Sequence, residues 1–155
     1  MNASNVVLEG NDNTIDGVDN DATSIGVNVT ASTTLSNVTV RNLTVQNWGQ
    51  GVEYEDAVDG EISDVVATGN NAGVRLDTAT GNDVTANNLS GNNFSGIDLR
   101  ASSNSNNVTN NEVSGNFYGI LIVLGSNNNL VRNSGEQQRR GRYTHRRRHG
   151  QRTDI

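Results

Sequence analysis

The tetrapeptide Gly73-Val74-Arg75-Leu76 is a glycine followed by alternating apolar positions, and this pattern recurs along the chain. Neighbouring copies are 22 or 23 residues apart, and one earlier copy precedes them by 25 residues. The other copies are Gly26-Val27-Asn28-Val29, Gly51-Val52-Glu53-Tyr54, Gly96-Ile97-Asp98-Leu99 and Gly119-Ile120-Leu121-Ile122. A fixed period of this length indicates a repeat protein.

Two further apolar columns keep the same period. The first contains Val38, Ile62, Val84, Val108 and Leu130, and the second contains Leu43, Ala67, Leu89 and Val113. Polar turns between the apolar strips also align, in the columns Asn82/Asn106/Asn128, Asn87/Asn111/Asn133 and Asn70/Asn92/Asn116, the last one preceded by glycines. Asparagine and glycine both tolerate positive φ, so these positions suit tight corners.

The strips are two or three apolar residues wide with a period of two, which predicts strands, since no segment has the length and 3.6-residue periodicity of a helix. We therefore predict an all-β protein, a right-handed single-stranded parallel β-helix of about five coils with three short strands per coil. An irregular first coil is expected over 5–29 and regular coils over 38–134. A leucine-rich repeat has similar periods, but its Leu-x-x-Leu-x-Leu pattern is absent.

The composition agrees with a narrow core. Only 32% of the residues are hydrophobic, and the chain has no Pro, Cys or Lys. Residues 1–135 carry fifteen Asp and Glu against four Arg, a net charge of −11. An acidic body without lysine is typical of adaptation to high salt, where counterions screen the repulsion between carboxylates. No apolar run approaches the roughly 18 residues that span a bilayer.

The repeat resembles the parallel β-helix family, in particular its NosD-type branch among carbohydrate-binding and sugar-hydrolysing solenoids. The resemblance rests on Asn5–Gly10, Asn13–Gly17 and Asn37–Val45, together with the Gly-aliphatic strips and the Asn turns. It covers roughly residues 5–134 and implies the fold. It implies less about function, because the family includes lyases, hydrolases, epimerases, copper-delivery accessories and surface proteins.

Three charged residues, Glu53, Arg75 and Asp98, occupy the same outward position in successive coils, and we call them the charged column. They are the candidate ligand-binding residues. The two carboxylates on either side of the arginine could also act as a general acid and a general base. The alternative interpretation is a solvated ladder of cross-strand charges. Residues 1–135 contain no His or Lys, so we predict no catalytic residues there.

The densest acidic run offers a candidate Ca²⁺ site at Glu53, Glu55, Asp56 and Asp59, since carboxylate oxygens are the ligands that calcium prefers. The run lacks the regular ligand spacing of a calcium-binding loop. Copper, which the NosD name implies, favours His, Cys or Met, and residues 1–135 supply only Met1. We therefore expect no copper site and no other cofactor.

After residue 135 the repeat stops, and residues 136–155 carry seven Arg. A basic run often binds nucleic acid, but we interpret this one as a disordered tail produced by a frameshifted continuation of the solenoid, and we expect no nucleic-acid partner.

These observations predict a non-catalytic cell-surface or secreted β-helix, with a structural, adhesive or polysaccharide-binding role. Its expected partners are a surface glycan and further coils of a longer parent protein, and its secretion leader is expected to be missing from this sequence. The alternative is a remnant or subunit of a polysaccharide-active lyase or hydrolase of the pectin-lyase-like class.

Overall fold

The computed structural model describes residues 1–18, 21–125, 127–135 and 152–154. In this part of the chain all regular elements are strands. They are β1 (Val7–Asp16), β2 (Ile25–Val29), β3 (Leu35–Ser36), β4 (Thr39–Gln46), β5 (Gln50–Glu55), β6 (Ala57–Val58), β7 (Glu61–Thr68), β8 (Ala72–Asp77), β9 (Asp83–Thr85), β10 (Ser95–Arg100), β11 (Asn107–Thr109), β12 (Tyr118–Ile122), β13 (Asn129–Val131) and β14 (Arg152–Asp154).

The strands stack in parallel into three sheets. Sheet A has the order β1-β4-β7-β9-β11-β13-β14, sheet B has the order β12-β10-β8-β5-β2, and sheet C contains β3 and β6. The five strands of sheet B are the five Gly-aliphatic strips, so the predicted β-solenoid of about five coils is confirmed. Two coils, β2–β3–β4 and β5–β6–β7, have three strands each. In the next coil the sheet C side is reduced to an isolated bridge between Val58 and Thr80.

The core is a set of aliphatic ladders along the solenoid axis. In sheet B the inward residues Val52, Val74 and Ile97 are in register and fully buried. A single coil would leave its inward side chains exposed to water. Stacking buries them, and this burial stabilises the fold by about 25 cal/mol per Å² of apolar surface. This arrangement explains how a chain with 32% hydrophobic residues holds a continuous core.

In two of the predicted apolar columns, the first residue was assigned two positions too early in the sequence. Ile62 pairs with Val40 and not with Val38, while Ala67 pairs with Val45 and not with Leu43. Because side chains alternate across a strand, a shift of two residues keeps the same face inward, so hydrophobicity alone cannot separate the two registers. The two strips themselves are present at β4: Asn42 has a positive φ of 54°, and the inward positions change there from Val38 and Val40 to Leu43 and Val45.

The predicted asparagine columns form hydrogen-bonded ladders in the interior of the corners. The Nδ2 of Asn82 donates to the Oδ1 of Asn106 at 3.2 Å, and the Nδ2 of Asn106 donates to the Oδ1 of Asn128 at 3.2 Å. Asn87, Asn111 and Asn133 form a second ladder, with 2.9 Å at each step. These amides also bond to backbone groups of neighbouring coils, so they satisfy buried polar groups that the corners would otherwise leave unpaired.

The recurrent glycine at the start of each sheet B strip lies against the backbone of the next coil. A Cβ on Gly73 would lie 2.7 Å from the carbonyl oxygen of Gly96 and 2.9 Å from the Nδ2 of Asn92. Any side chain at this position would push the coils apart, which is why the strip begins with glycine.

Both ends of the solenoid depart from the regular repeat. In the first coil, the register with β4 shifts between Glu9 and Asn13. At the other end, Arg152–Asp154 pairs with β13 as the last strand of sheet A. The remainder of the predicted disordered tail, residues 136–151 and 155, lies outside the described residues.

Candidate functional site

The charged column lies on the outer face of sheet B. Glu53 follows the inward Val52 and precedes the inward Tyr54, so strand alternation directs it to the opposite face. The register places Glu53 beside Arg75 and Arg75 beside Asp98. The alignment that the sequence indicates is therefore present, and the column continues to Asn28 on one side and Leu121 on the other.

Arg75 lies between the two carboxylates. Its Nη1 is 3.7 Å from Glu53 Oε1, and its Nε is 3.7 Å from Asp98 Oδ2. A second arginine, Arg100, donates from Nε to the same Asp98 Oδ2 at 2.6 Å. The site is thus a four-residue charge cluster, of which sequence reasoning found three members and missed Arg100.

The cluster is less solvated than a surface ladder of charges. The side chain of Asp98 is fully buried, while those of Glu53 and Arg75 are 13% and 16% exposed. Burial raises the pKa of the Asp98 carboxyl, and the guanidinium groups of Arg100 and Arg75 oppose that shift without cancelling it. Burial also raises the pKa of Glu53, against the opposing charge of Arg75. Both carboxylates therefore carry a desolvation cost that a solvated ladder would not.

Buried polar atoms without a hydrogen-bond partner are concentrated on this sheet. Among the described residues they are Asn28 Oδ1, Arg75 Nε, Ser95 Oγ and Asp98 Oδ1, all of which belong to strands β2, β8 and β10. Buried polar groups in folded proteins nearly always have a partner, in the protein or in ordered water. Two of them, Arg75 Nε and Asp98 Oδ1, belong to the charge cluster, whose hydrogen-bonding groups are therefore not all paired within the protein.

An aromatic cluster of Phe94, Phe117 and Tyr118 lies at the N-terminal ends of β10 and β12, on the sheet that carries the charge cluster. The rings of Phe94 and Phe117 are stacked, with centroids 6.3 Å apart and planes 7° apart, and Tyr118 meets Phe117 edge to face at 4.7 Å. Tyr118 is the register partner of Ser95, three residues before Asp98. Sequence reasoning missed this cluster, although Phe94 and Phe117 are 23 residues apart, which is the repeat period.

The proposed calcium ligands are distributed over two sides of the solenoid. Glu53 and Glu55 belong to β5 of sheet B, and Glu55 accepts a hydrogen bond from Thr30 Oγ1 at 2.9 Å. Asp56 and Asp59 flank β6 of sheet C and have positive φ values of 52° and 54°, as expected for Asp at tight corners. Within the part of the chain that the structure describes, no three His, Cys, Asp or Glu residues form a metal-binding group. Calcium binding by these four residues stays a prediction that this geometry does not support.

The described residues also do not fit a copper site. They include no His and no Cys, since His145 and His149 lie outside them. Met1 packs against the core, and its amino group donates to the carbonyl oxygen of Asn28. Hard carboxylates and amides, the groups found here, are poor ligands for copper compared with imidazole or thiolate. Within the same residues, no helix has the length and apolarity needed to cross a membrane.

Comparison with protein families gives one match. The family model described as periplasmic copper-binding protein (NosD) matches residues 1–148, nearly the whole chain. The chain has no significant match among curated proteins or among solved structures.

Proposed function

Because the chain belongs to the NosD family of β-helix proteins, we propose that it is a non-catalytic module that acts outside the cytoplasm and binds a polysaccharide on the outer face of sheet B. The family's description as periplasmic supports the location. The extended outer face of a solenoid supports the ligand class, since successive coils present side chains at a spacing of about 4.8 Å along a chain-like ligand.

The observation that carries the proposal is the aromatic cluster at the N-terminal ends of β10 and β12, in the same sheet as the charge cluster. The side chain of Phe117 is 37% exposed, and the stacked ring of Phe94 extends the same apolar strip by one coil. The CH groups of a sugar ring pack favourably on aromatic rings. Sugar hydroxyls both donate and accept hydrogen bonds, so carboxylates and guanidinium groups next to such rings can orient them.

The alternative, a remnant of a polysaccharide-active enzyme, would use Glu53 and Asp98 as an acid–base pair on either side of Arg75. A general acid must reach the atom that it protonates. Asp98 is fully buried, and Arg100 occupies one of its oxygens. This arrangement favours binding over catalysis.

Affinity gel electrophoresis tests the proposal, with soluble β-glucan, mannan, polygalacturonate and alginate cast into the gel. We expect at least one of them to retard the protein, and we expect Phe117→Ala to reduce the retardation. Val66→Ala is the matched control, because Val66 is 38% exposed but lies on sheet A. Equal retardation of the two variants would contradict the proposed face. Release of reducing ends from a retained polysaccharide would favour the enzyme alternative.

A further inference from the structure

The sequence Asn-x-Ser/Thr, the acceptor motif for N-linked glycosylation of exported proteins, occurs seven times in the chain. A chain this rich in Asn, Ser and Thr contains several copies through composition alone, so the motif by itself selects none of them. An acceptor must also present both its amide and its hydroxyl to solvent, and the structure separates the seven on this ground. They begin at Asn2, Asn28, Asn37, Asn42, Asn88, Asn93 and Asn107.

Four of the motifs have an amide that is already engaged or partly enclosed. At three of them the Nδ2 donates to a side chain of another coil at 2.7–3.0 Å, so a sugar on this nitrogen would crowd a contact between coils. At the fourth the asparagine is half-buried, and its Oδ1 is buried. The first three are Asn37, Asn42 and Asn107, and the fourth is Asn28.

Two more motifs lack one of the required features. Asn93 is exposed, but the hydroxyl of its motif belongs to Ser95, which is fully buried. Asn2 is exposed as well, but within the described residues no hydrogen bond orients its side chain.

Asn88 combines an exposed amide with a fixed orientation. Its Oδ1 accepts a hydrogen bond from the backbone N–H of Ser90 at 3.3 Å, which is a local turn between the first and the third residue of the motif. Its Nδ2 donates to no group among the described residues. The hydroxyl of Ser90 is half-buried and accepts from the backbone N–H of Ser114 at 3.1 Å. The turn therefore holds the amide by its oxygen and leaves its nitrogen free.

We propose that Asn88 is an N-glycosylation site. The donor is an oligosaccharide attached through pyrophosphate to a membrane lipid. The Nδ2 of Asn88 bonds to the anomeric carbon of the first sugar, the bond between that carbon and the pyrophosphate oxygen breaks, the pyrophosphate leaves with the bonding electrons, and the nitrogen gives up one proton. This site rests on the location outside the cytoplasm that the proposed function includes, and does not depend on polysaccharide binding.

The surroundings of Asn88 suit an attached sugar. Parallel bridges place Asn88 between Val66 of the preceding coil and Glu112 of the next, and all three are exposed. Val66 is a large apolar side chain on the outer face of sheet A, about 4.8 Å away along the axis, and a sugar on Asn88 would cover it. A glycan at this place leaves the outer face of sheet B open to the polysaccharide proposed above.

Mass spectrometry of the protein purified from its native host tests the site. Trypsin, which cleaves after arginine, releases the peptide 76–100, which contains both Asn88 and Asn93. We expect this peptide to carry the added mass of a sugar chain. Asn88→Gln and Ser90→Ala should each abolish the added mass, whereas Ser90→Thr should keep it, because the motif accepts either hydroxyl. Asn93→Gln is the matched control in the same peptide and should keep it too.

The melting temperature of each variant establishes that it is folded before its modification is compared. An exported wild-type protein with no added mass on the peptide 76–100 would refute the site, and so would added mass that Asn93→Gln removes and Asn88→Gln retains. Fractionation of the same cells distinguishes these results from a failure of the proposed location. Protein confined to the cytoplasm would refute that location, and the glycosylation site with it.

Discussion

Removing one amide from the interior ladder should destabilise the solenoid far more than removing the adjacent surface amide. Asn106 is fully buried. Its Oδ1 accepts from the backbone N–H of Asn82 at 2.9 Å, and its Nδ2 donates to the carbonyl oxygen of Ala79 at 2.9 Å and to the Oδ1 of Asn128 at 3.2 Å. One side chain therefore joins three consecutive coils.

The magnitude follows from the groups that Asn106→Ala would leave unpaired. The Asn82 N–H and the Ala79 carbonyl oxygen would both lose their partner in the interior. An unsatisfied buried polar group costs about 1–3 kcal/mol. We expect the free energy of unfolding to fall by about 3 kcal/mol, allowing for partial relaxation around the smaller side chain.

Asn107→Ala is the control, because it changes the same residue type one position later. The Nδ2 of Asn107 donates to Asp83 Oδ1 at 3.0 Å at an exposed position. Its loss should cost about 0.5 kcal/mol or less. With a urea dependence of about 2 kcal/mol per M, the midpoint of urea unfolding should fall by about 1.5 M for Asn106→Ala and by about 0.2 M for Asn107→Ala.

The reasoning fails if the two midpoints agree within about 0.3 M, well below the expected separation. That result would mean that water or backbone relaxation replaces the amide at no cost, and that the asparagine ladders do not stabilise the stack. Asn106→Asp extends the test. At neutral pH it should destabilise more than Asn106→Ala, because it places an anion in the same interior corner and removes the Nδ2 donor.

Two further predictions concern the close backbone approach and the buried carboxylate. Gly73→Ala should lower the free energy of unfolding by about 1–3 kcal/mol, because the new Cβ meets the Gly96 carbonyl oxygen. Gly135→Ala should cost less, because a Cβ there would lie 3.3 Å from its nearest atom. Urea unfolding that ranks the two variants the other way would contradict the packing argument. Since burial raises the pKa of Asp98, the native state holds this proton more tightly than the unfolded state does. Asp98→Asn cannot titrate at this position and serves as the reference. Relative to it, the wild-type protein should lose stability as the pH rises from the carboxyl's unfolded-state pKa of about 4 through its raised native-state pKa. A relative gain in the urea midpoint over that range would show that pairing with Arg100 outweighs burial.

The sequence predicts the fold because the repeat and the alternation of apolar residues agree with each other. Gly51, Gly73 and Gly96 mark positions where only glycine lets two coils approach, and the asparagine columns mark the corners. The register of β4 was not predictable in the same way. Val38 and Val40 are both apolar and both face inward, so the choice between them depends on where the backbone turns, which their hydrophobicity does not encode.

The candidate site was predictable in its alignment but not in its environment. The spacing of Glu53, Arg75 and Asp98 sufficed to place them side by side. Asp98 also bonds to Arg100, which belongs to a different column. A pattern that follows one column cannot show what lies beside it. The aromatic cluster, in contrast, had a signal in the 23-residue spacing of Phe94 and Phe117.

The two kinds of column differ in a way that bears on function. Where stacking alone decides the residue, the same residue type recurs, as in the ladders of asparagines and of aliphatic side chains. The outer column of sheet B has a different residue in each of its five coils: Asn28, Glu53, Arg75, Asp98 and Leu121. Stacking does not require this variety, and it includes a fully buried carboxylate that costs stability. A binding surface does require it, since a ligand that lies along the solenoid needs different partners at different positions.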